Sequence, residues 1–152
     1  MKKLLKVLTI WLILGAIYYI IEGLYHLPSG GYANILMLPI GGLCGLCVGS
    51  INQIKAFYNM KIVWQCLIGT VLTTLIEFIS GMILNVALGL NIWDYSNLLF
   101  NVKGQISLIF SLIWFLLMPL GIWAEDMIRY RLWNEGNYYS LLSVYKDLIT
   151  YK

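Results

Sequence analysis

Charge is what this sequence has least of. Asp, Glu, Lys and Arg make up 11% of its 152 residues, where a soluble domain carries about 25%. Histidine occurs once and cysteine three times. A structural zinc site takes about four ligands, so the Cys44-x-x-Cys47 pair with a lone histidine does not make one. The cysteines Cys44, Cys47 and Cys66 lie inside apolar runs, and an odd count argues against a disulfide framework. They read as small residues at helix contacts. No G-x-x-x-x-G-K-[ST] loop is present, so any ATP-driven function needs a separate ATPase subunit. No Ser–His–Asp, Cys–His or H-E-x-x-H arrangement occurs, and His26 has no clear nucleophile beside it. The net charge of +3 is small and scattered. With no basic stripe and interleaved aromatics, nucleic acid is excluded as a partner. No metal and no cofactor is expected.

What is abundant is apolar surface. Hydrophobic residues reach 61% and the mean hydropathy is +0.80. That excess must face lipid, which predicts an all-α integral membrane protein. A helix needs about 20 residues to cross the hydrocarbon core. Four stretches qualify approximately: 7–25, 35–51, 62–84 and 106–123. The second is short and carries Pro39, so it is tilted, kinked or partly re-entrant. The lysine-flanked apolar start is followed by no A-x-A cleavage pattern and fits a retained signal anchor.

Positive charge then sets orientation. Lys2, Lys3, Lys6, Lys55, Lys61, Arg129, Arg131, Lys146 and Lys152 fall on one side of the predicted spans, and Lys103 on the other. The positive-inside rule makes the first side cytoplasmic. Both termini then face the cytoplasm of a cell (plasma) membrane, and loops 26–34 and 85–105 face outward. Trp93, Tyr95, Trp123 and Trp133 lie near the predicted interfaces, where amphipathic rings concentrate. Residues 1–126 read as a four-helix transmembrane domain and 127–152 as a cytoplasmic or interfacial tail. In the tail, Tyr138, Leu141, Leu142, Tyr145, Leu148 and Ile149 share a helical face. This is an amphipathic helix, lying either on the inner leaflet or against the protein's own cytoplasmic loop.

An internal repeat is visible. Ile21-Glu22 in the first span matches Ile76-Glu77 in the third, and Tyr32-Ala33-Asn34-Ile35-Leu36-Met37 matches Tyr95-Ser96-Asn97-Leu98-Leu99-Phe100. Nine residues after each tyrosine comes a glycine, Gly41 and Gly104. Two similar hairpins follow, related by an axis along the membrane normal. Transporters built this way place their sites at the repeat interface.

Glu22 and Glu77 are the leading site candidates. A carboxylate inside a span is costly and faces the bundle interior or water. Together the two suit a proton carrier or a cation counter-ion, or else a hydrogen-bonded helix contact. Gln65, Gly69, Thr73, Glu77, Gly81, Asn85 and Gly89 recur every four residues, so neighbours in the row share a face. Small residues let backbones approach and polar ones bond across helices. Gly41, Gly45 and Gly49 form a second such row, read as packing within the monomer or in a homo-oligomer. His26, four residues after Glu22, pairs with it or lies at the interface. Asp94, between Trp93 and Tyr95, caps a turn or closes the site from outside.

Residues 77–114 carry a family resemblance. Glu77, Gly81, Trp93-Asp94-Tyr95-Ser96, Phe100-Asn101, Gly104, Phe110-Ser111 and Trp114 resemble the bacterial type IV ABC-transporter family of CmpB-like permeases. They are also similar to the eukaryotic transmembrane protein 229 family. The departure is at Gln105-Ile106-Ser107-Leu108, where family members tend to carry Arg-Ile-Cys-Leu-Pro. The resemblance implies a permease-like or transport-associated protein. An ATPase would dock on loop 52–61 or on the tail, or protons passing through the glutamates would drive transport. The alternatives are a membrane scaffold or sensor, a lipid-modifying enzyme using Glu77 and Asp94, and a holin.

Overall fold

The computed structural model describes residues 2–57 and 59–152, with Ser29 described by its backbone alone. Five α-helices carry the fold, and the described residues hold no named strand: α1 Lys2–His26, α2 Met37–Gly49, α3 Ile62–Gly81, α4 Leu108–Trp133 and α5 Leu141–Ile149. Helix α3 continues as a π-helix, Met82–Ala87. Three of these stretches are long and apolar enough to cross a membrane: Lys2–His26, Ile62–Ala87 and Leu108–Trp133. The fourth apolar stretch, Met37–Gln53, is shorter.

Helix boundaries follow local chemistry. Helix α1 stops where Pro28 opens a 3-10 turn, closed by Gly30 at φ 71°. The Asn34 carboxamide accepts from the Leu36 amide at 3.0 Å just before α2. Pro39 then falls in the first turn of α2, where its missing N–H costs no intrahelical bond. Ser107 caps α4 through the Phe110 amide at 3.4 Å, and Ser140 caps α5. Asn134 ends α4 in the left-handed conformation at φ 56°.

Packing contacts make each neighbour antiparallel to the last. Gly41 and Gly45 of α2 lie against Tyr18 and Leu14 of α1. A Cβ at Gly45 would come within 2.7 Å of Leu14, so the close approach requires glycine there. Val48 of α2 clusters with Cys66 of α3, and Gly69 of α3 abuts Met118 of α4. This alternation gathers the starts of α1 and α3 and the ends of α2 and α4 at one end of the bundle. Lys6, Lys55, Lys61, Arg129 and Arg131 belong to that end, which we call the basic end; His26, Asp94 and Lys103 belong to the opposite, loop end.

Two features run past what hydropathy alone marks out. Helix α4 does not stop near 123 but continues to Trp133, across the 126/127 division. The amphipathic α5 folds back on the protein itself: Val144 is buried, Leu148 packs on the Val48–Cys66–Met118–Ile122 cluster, and the Tyr145 hydroxyl donates to the Leu116 carbonyl at 2.9 Å. Leu142 and Ile149 remain 78% and 83% exposed.

Candidate functional site

The four-residue row on α3 is the buried seam of the bundle. Gln65, Gly69, Thr73, Glu77, Gly81 and Asn85 are all buried. In an α-helix such a row drifts by about 40° per step. The wider i→i+5 turns over Met82–Ala87 slow the rotation and bring Asn85 back to the interior face. Gly89 lies past the helix in the left-handed conformation at φ 66°, exposed, and serves a turn rather than the seam.

Glu77 is 3% exposed and is reached from two helices. The Trp114 indole N–H of α4 donates to Oε2 at 2.8 Å, and the Tyr18 hydroxyl of α1 donates to Oε1 at 3.4 Å. The two rings stack on one another, with centroids 5.3 Å apart and planes 17° apart. Nearer the loop end, Glu22 meets His26 at 3.1 Å, as their spacing of four predicts. Tyr25 and Phe110 meet edge-on at 5.7 Å, and Phe110 stacks on Tyr95 at 4.3 Å. Aromatic pairs thus run along the contact of α1 with α4 and on to Tyr95 of the loop between α3 and α4, with Glu77 held by the Tyr18–Trp114 pair.

The loop between α3 and α4 is a polar knot centred on Asn85. Its carboxamide donates to the Trp93 carbonyl at 3.0 Å and to Gln105 Oε1 at 2.8 Å, and accepts from the Ile92 amide at 2.7 Å. The Trp93 indole returns a bond to the Gln105 carbonyl at 3.0 Å. Gly81 gives Gln105 its place, since a Cβ there would meet Oε1 at 2.5 Å. Asp94 faces away from this knot. It is exposed and accepts from the Ser96 hydroxyl and, at 2.8 Å, from the Ser96 amide. Gly104 closes the turn at φ 69°, packed against Asp94 and Ser96.

The Ser96 hydroxyl, and after it the Ser96 amide, hold the Asp94 carboxyl below the usual carboxylate range. A depressed folded value means that Asp94 steadies the loop at pH above the unfolded value of about 3.9 and stops doing so as pH falls through the folded one. The Ser96 amide resonance is therefore expected to titrate with a midpoint below about 3.9. In Asp94→Asn it stays flat. A midpoint at or above the unperturbed value would show that the hydrogen bonds do not form.

At the basic end lies a polar cleft of about 540 Å³, bordered by Asn52, Gln53, Met60, Asp126, Arg129, Tyr139 and Asp147 among others. Asp126 accepts from Asn52 at 2.6 Å, from Gln53 at 3.3 Å and from the Tyr139 hydroxyl. Behind it Glu125 is fully buried and takes the Arg129 guanidinium at 2.5 Å. Glu135 bridges Arg129 to Lys6. Gly49 makes room for this arrangement, because a Cβ there would overlap the Glu125 side chain.

Comparison with family models gives one match. Residues 9–138 fit the model described as "Putative ABC-transporter type IV". The chain belongs to this family. Its apolar helices and this family mark it as a membrane protein, and the matched region runs from within α1 to beyond the end of α4. No curated protein and no solved structure matches the chain.

Within the family segment, the structure brings Glu77, Tyr18 and Trp114 together, with Glu22 and His26 paired nearby, and joins Asn85 to Trp93 and Gln105. Asp94 does not meet the glutamates through any hydrogen bond described; its partners belong to its own loop. The equivalence of Gly41 with Gly104 does not hold in conformation, since Gly41 is helical and Gly104 left-handed. Tyr32, matched to the stacked Tyr95, is 92% exposed. Among the described residues no cluster of three metal-ligating side chains occurs, and the three cysteines are free. Glu125, Asp126, Arg129 and Tyr139 were not legible as a group, although Glu125 and Arg129 stand at helical spacing.

Proposed function

We propose that this protein is a permease-like membrane subunit whose α1–α4 cross the plasma membrane as two hairpins, with both termini cytoplasmic and Glu77 at the central site. The burial of Glu77 where α1, α3 and α4 meet carries this reading. A carboxyl group placed there is expensive, and a bundle needing only adhesion has cheaper polar residues to use. The α2 stretch of 17 residues reaches about 25 Å, a few ångströms short of a hydrocarbon core of about 30 Å. Local thinning closes that gap at modest cost. The clustering of basic residues at one end supports the orientation.

In the ABC-linked form, an ATPase subunit docks at the basic-end cleft. The loop after α2 and the tail both line it, so both docking candidates meet there. In the self-sufficient form, Glu77 passes protons. Reconstitution in liposomes with a pH-sensitive dye separates these. Wild type is expected to carry proton flux above empty vesicles, and Glu77→Gln to fall to the leak. Equal leak-level traces from both would remove the proton-coupled form, and an ATPase that co-purifies would then support the linked one. The enclosure of Glu77 by two neutral donors favours one second reading, a scaffold in which Glu77 is a helix contact. That reading predicts lower thermal stability for Glu77→Leu and no flux in any variant.

A further inference from the structure

We propose that a lipophilic organic cation enters the α1–α4 crevice from the bilayer and that Glu77 is its counter-ion. This rests on Glu77 being the functional centre and adds the substrate class. Glu77 has neutral donors as its hydrogen-bond partners, and the ion pairs of the described residues join Lys6, His26 and Arg129 to other carboxylates. The lysines and arginines sit in the outer turns of the helices or beyond them. A buried carboxylate is stabilised by a proton or by a cation, and among the described residues none of the ion pairs includes Glu77.

The crevice supplies the route. A cavity of about 80 Å³ opens between α1 and α4, lined almost wholly by apolar atoms, with Ile17 and Ile21 on one wall and Gly121 on the other. Helix α2 contributes Gly41, Cys44 and Gly45 to the lining, with the two glycines packed against Tyr18 and Leu14 of α1. Tyr18 and Trp114 line the same cavity with their rings and hold Glu77 with their polar atoms. Glu77 does not itself line the cavity; it lies behind the two rings that do, joined to their polar atoms, so a ligand reaches it only between them. Aromatic rings attract ammonium groups electrostatically, and a carboxylate behind them adds to the pull. The volume is about half that of a cavity of about 150 Å³ that holds benzene, so as it stands the crevice admits a small alkyl arm, and a ring enters only as the walls part. The ligand class is therefore a quaternary or protonated amine with a compact apolar arm, whose head group parts the Tyr18–Trp114 stack.

The test uses the full chain in lipid nanodiscs with benzyltrimethylammonium and its uncharged isostere neopentylbenzene, read by calorimetry and by tryptophan fluorescence. Wild type is expected to bind the cation saturably and the isostere on the order of tenfold or more weakly. Glu77→Gln keeps the acceptor and removes the charge, and should erase the preference for the cation. Gly121→Leu fills the crevice without approaching Glu77. A Cβ at that position meets only Val48, at an ordinary 3.5 Å, so this variant should fold and bind neither compound. Equal affinity for the two compounds in wild type, or unchanged cation binding in Gly121→Leu, overturns the proposal. Cation binding without proton flux would leave this site standing and remove the proton-coupled reading; flux without binding would do the reverse.

Discussion

Arg129→Ala is expected to lower stability by about 3–5 kcal/mol, the range found when one partner of a buried ion pair is removed. Glu125 is 0% exposed and Arg129 is its charged partner, through Nε and Nη2 at 2.5 Å. Its second oxygen, Oε2, has no hydrogen-bond partner among the described residues. Without the guanidinium the carboxylate would be buried with no compensation, and Gly49 packed on its Cβ and Cγ leaves it no room to turn away. Glu135 and Lys6 would also lose their link to α4. For a chain of this size the loss amounts to a drop in Tm on the order of 10 °C, measurable in detergent by tryptophan fluorescence. Arg129→Lys should fall between, keeping the charge but not the fork. The double variant Glu125→Met/Arg129→Met should recover most of the loss, because hydrophobic replacement of a whole buried pair is often neutral or better. A double variant as unstable as Arg129→Ala would show that the cost lies in packing and not in an unpaired charge.

That pair also marks the boundary of what the sequence discloses. The α3 seam was legible because small and polar residues stand out at intervals of four in an otherwise apolar helix. The Glu22–His26 contact was legible for the same local reason. The partners of Glu77 were not, since Tyr18 and Trp114 come from helices 59 and 37 positions away and look like ordinary membrane aromatics. Hydropathy places the end of the fourth span where charges begin, but helix length is set by backbone bonding and caps. Helix α4 therefore runs on to Asn134 and carries Glu125 and Arg129 with it. For α5, periodicity fixed which face is apolar without saying what covers it, and the covering surface is α3 and α4 rather than only lipid. The π-helix over Met82–Ala87, which carries the buried Asn85, left no local mark in the sequence. Gly41 and Gly104 show the converse error, in which matched letters sit in unlike backbones.

Asn85 decides whether the loop between α3 and α4 is a ligand site or a structural plug, and Asn85→Leu should separate the two. Asn85 is 8% exposed and makes three hydrogen bonds, to the Ile92 amide, the Trp93 carbonyl and Gln105 Oε1. Leucine removes all three and strands a half-buried N–H and two buried oxygens, at about 1–3 kcal/mol for each buried group left unsatisfied. A loss of at least about 3 kcal/mol is expected, with fast amide exchange across residues 91–107. Asn85→Asp keeps the acceptor for the Ile92 amide but loses both donors and sets a carboxylate against Gln105 Oε1, so the Trp93 side of the loop should loosen. The Trp93 indole bond to the Gln105 carbonyl is the next link, and its loss would expose the ring to quenching by iodide. If Asn85 instead contacted substrate, Asn85→Leu would lose cation binding at an unchanged Tm and with the loop still protected from exchange. The knot's position argues for the first outcome, since it ties the end of α3 to the start of α4 and so fixes the distance from Glu77 to the Trp114 indole that holds it.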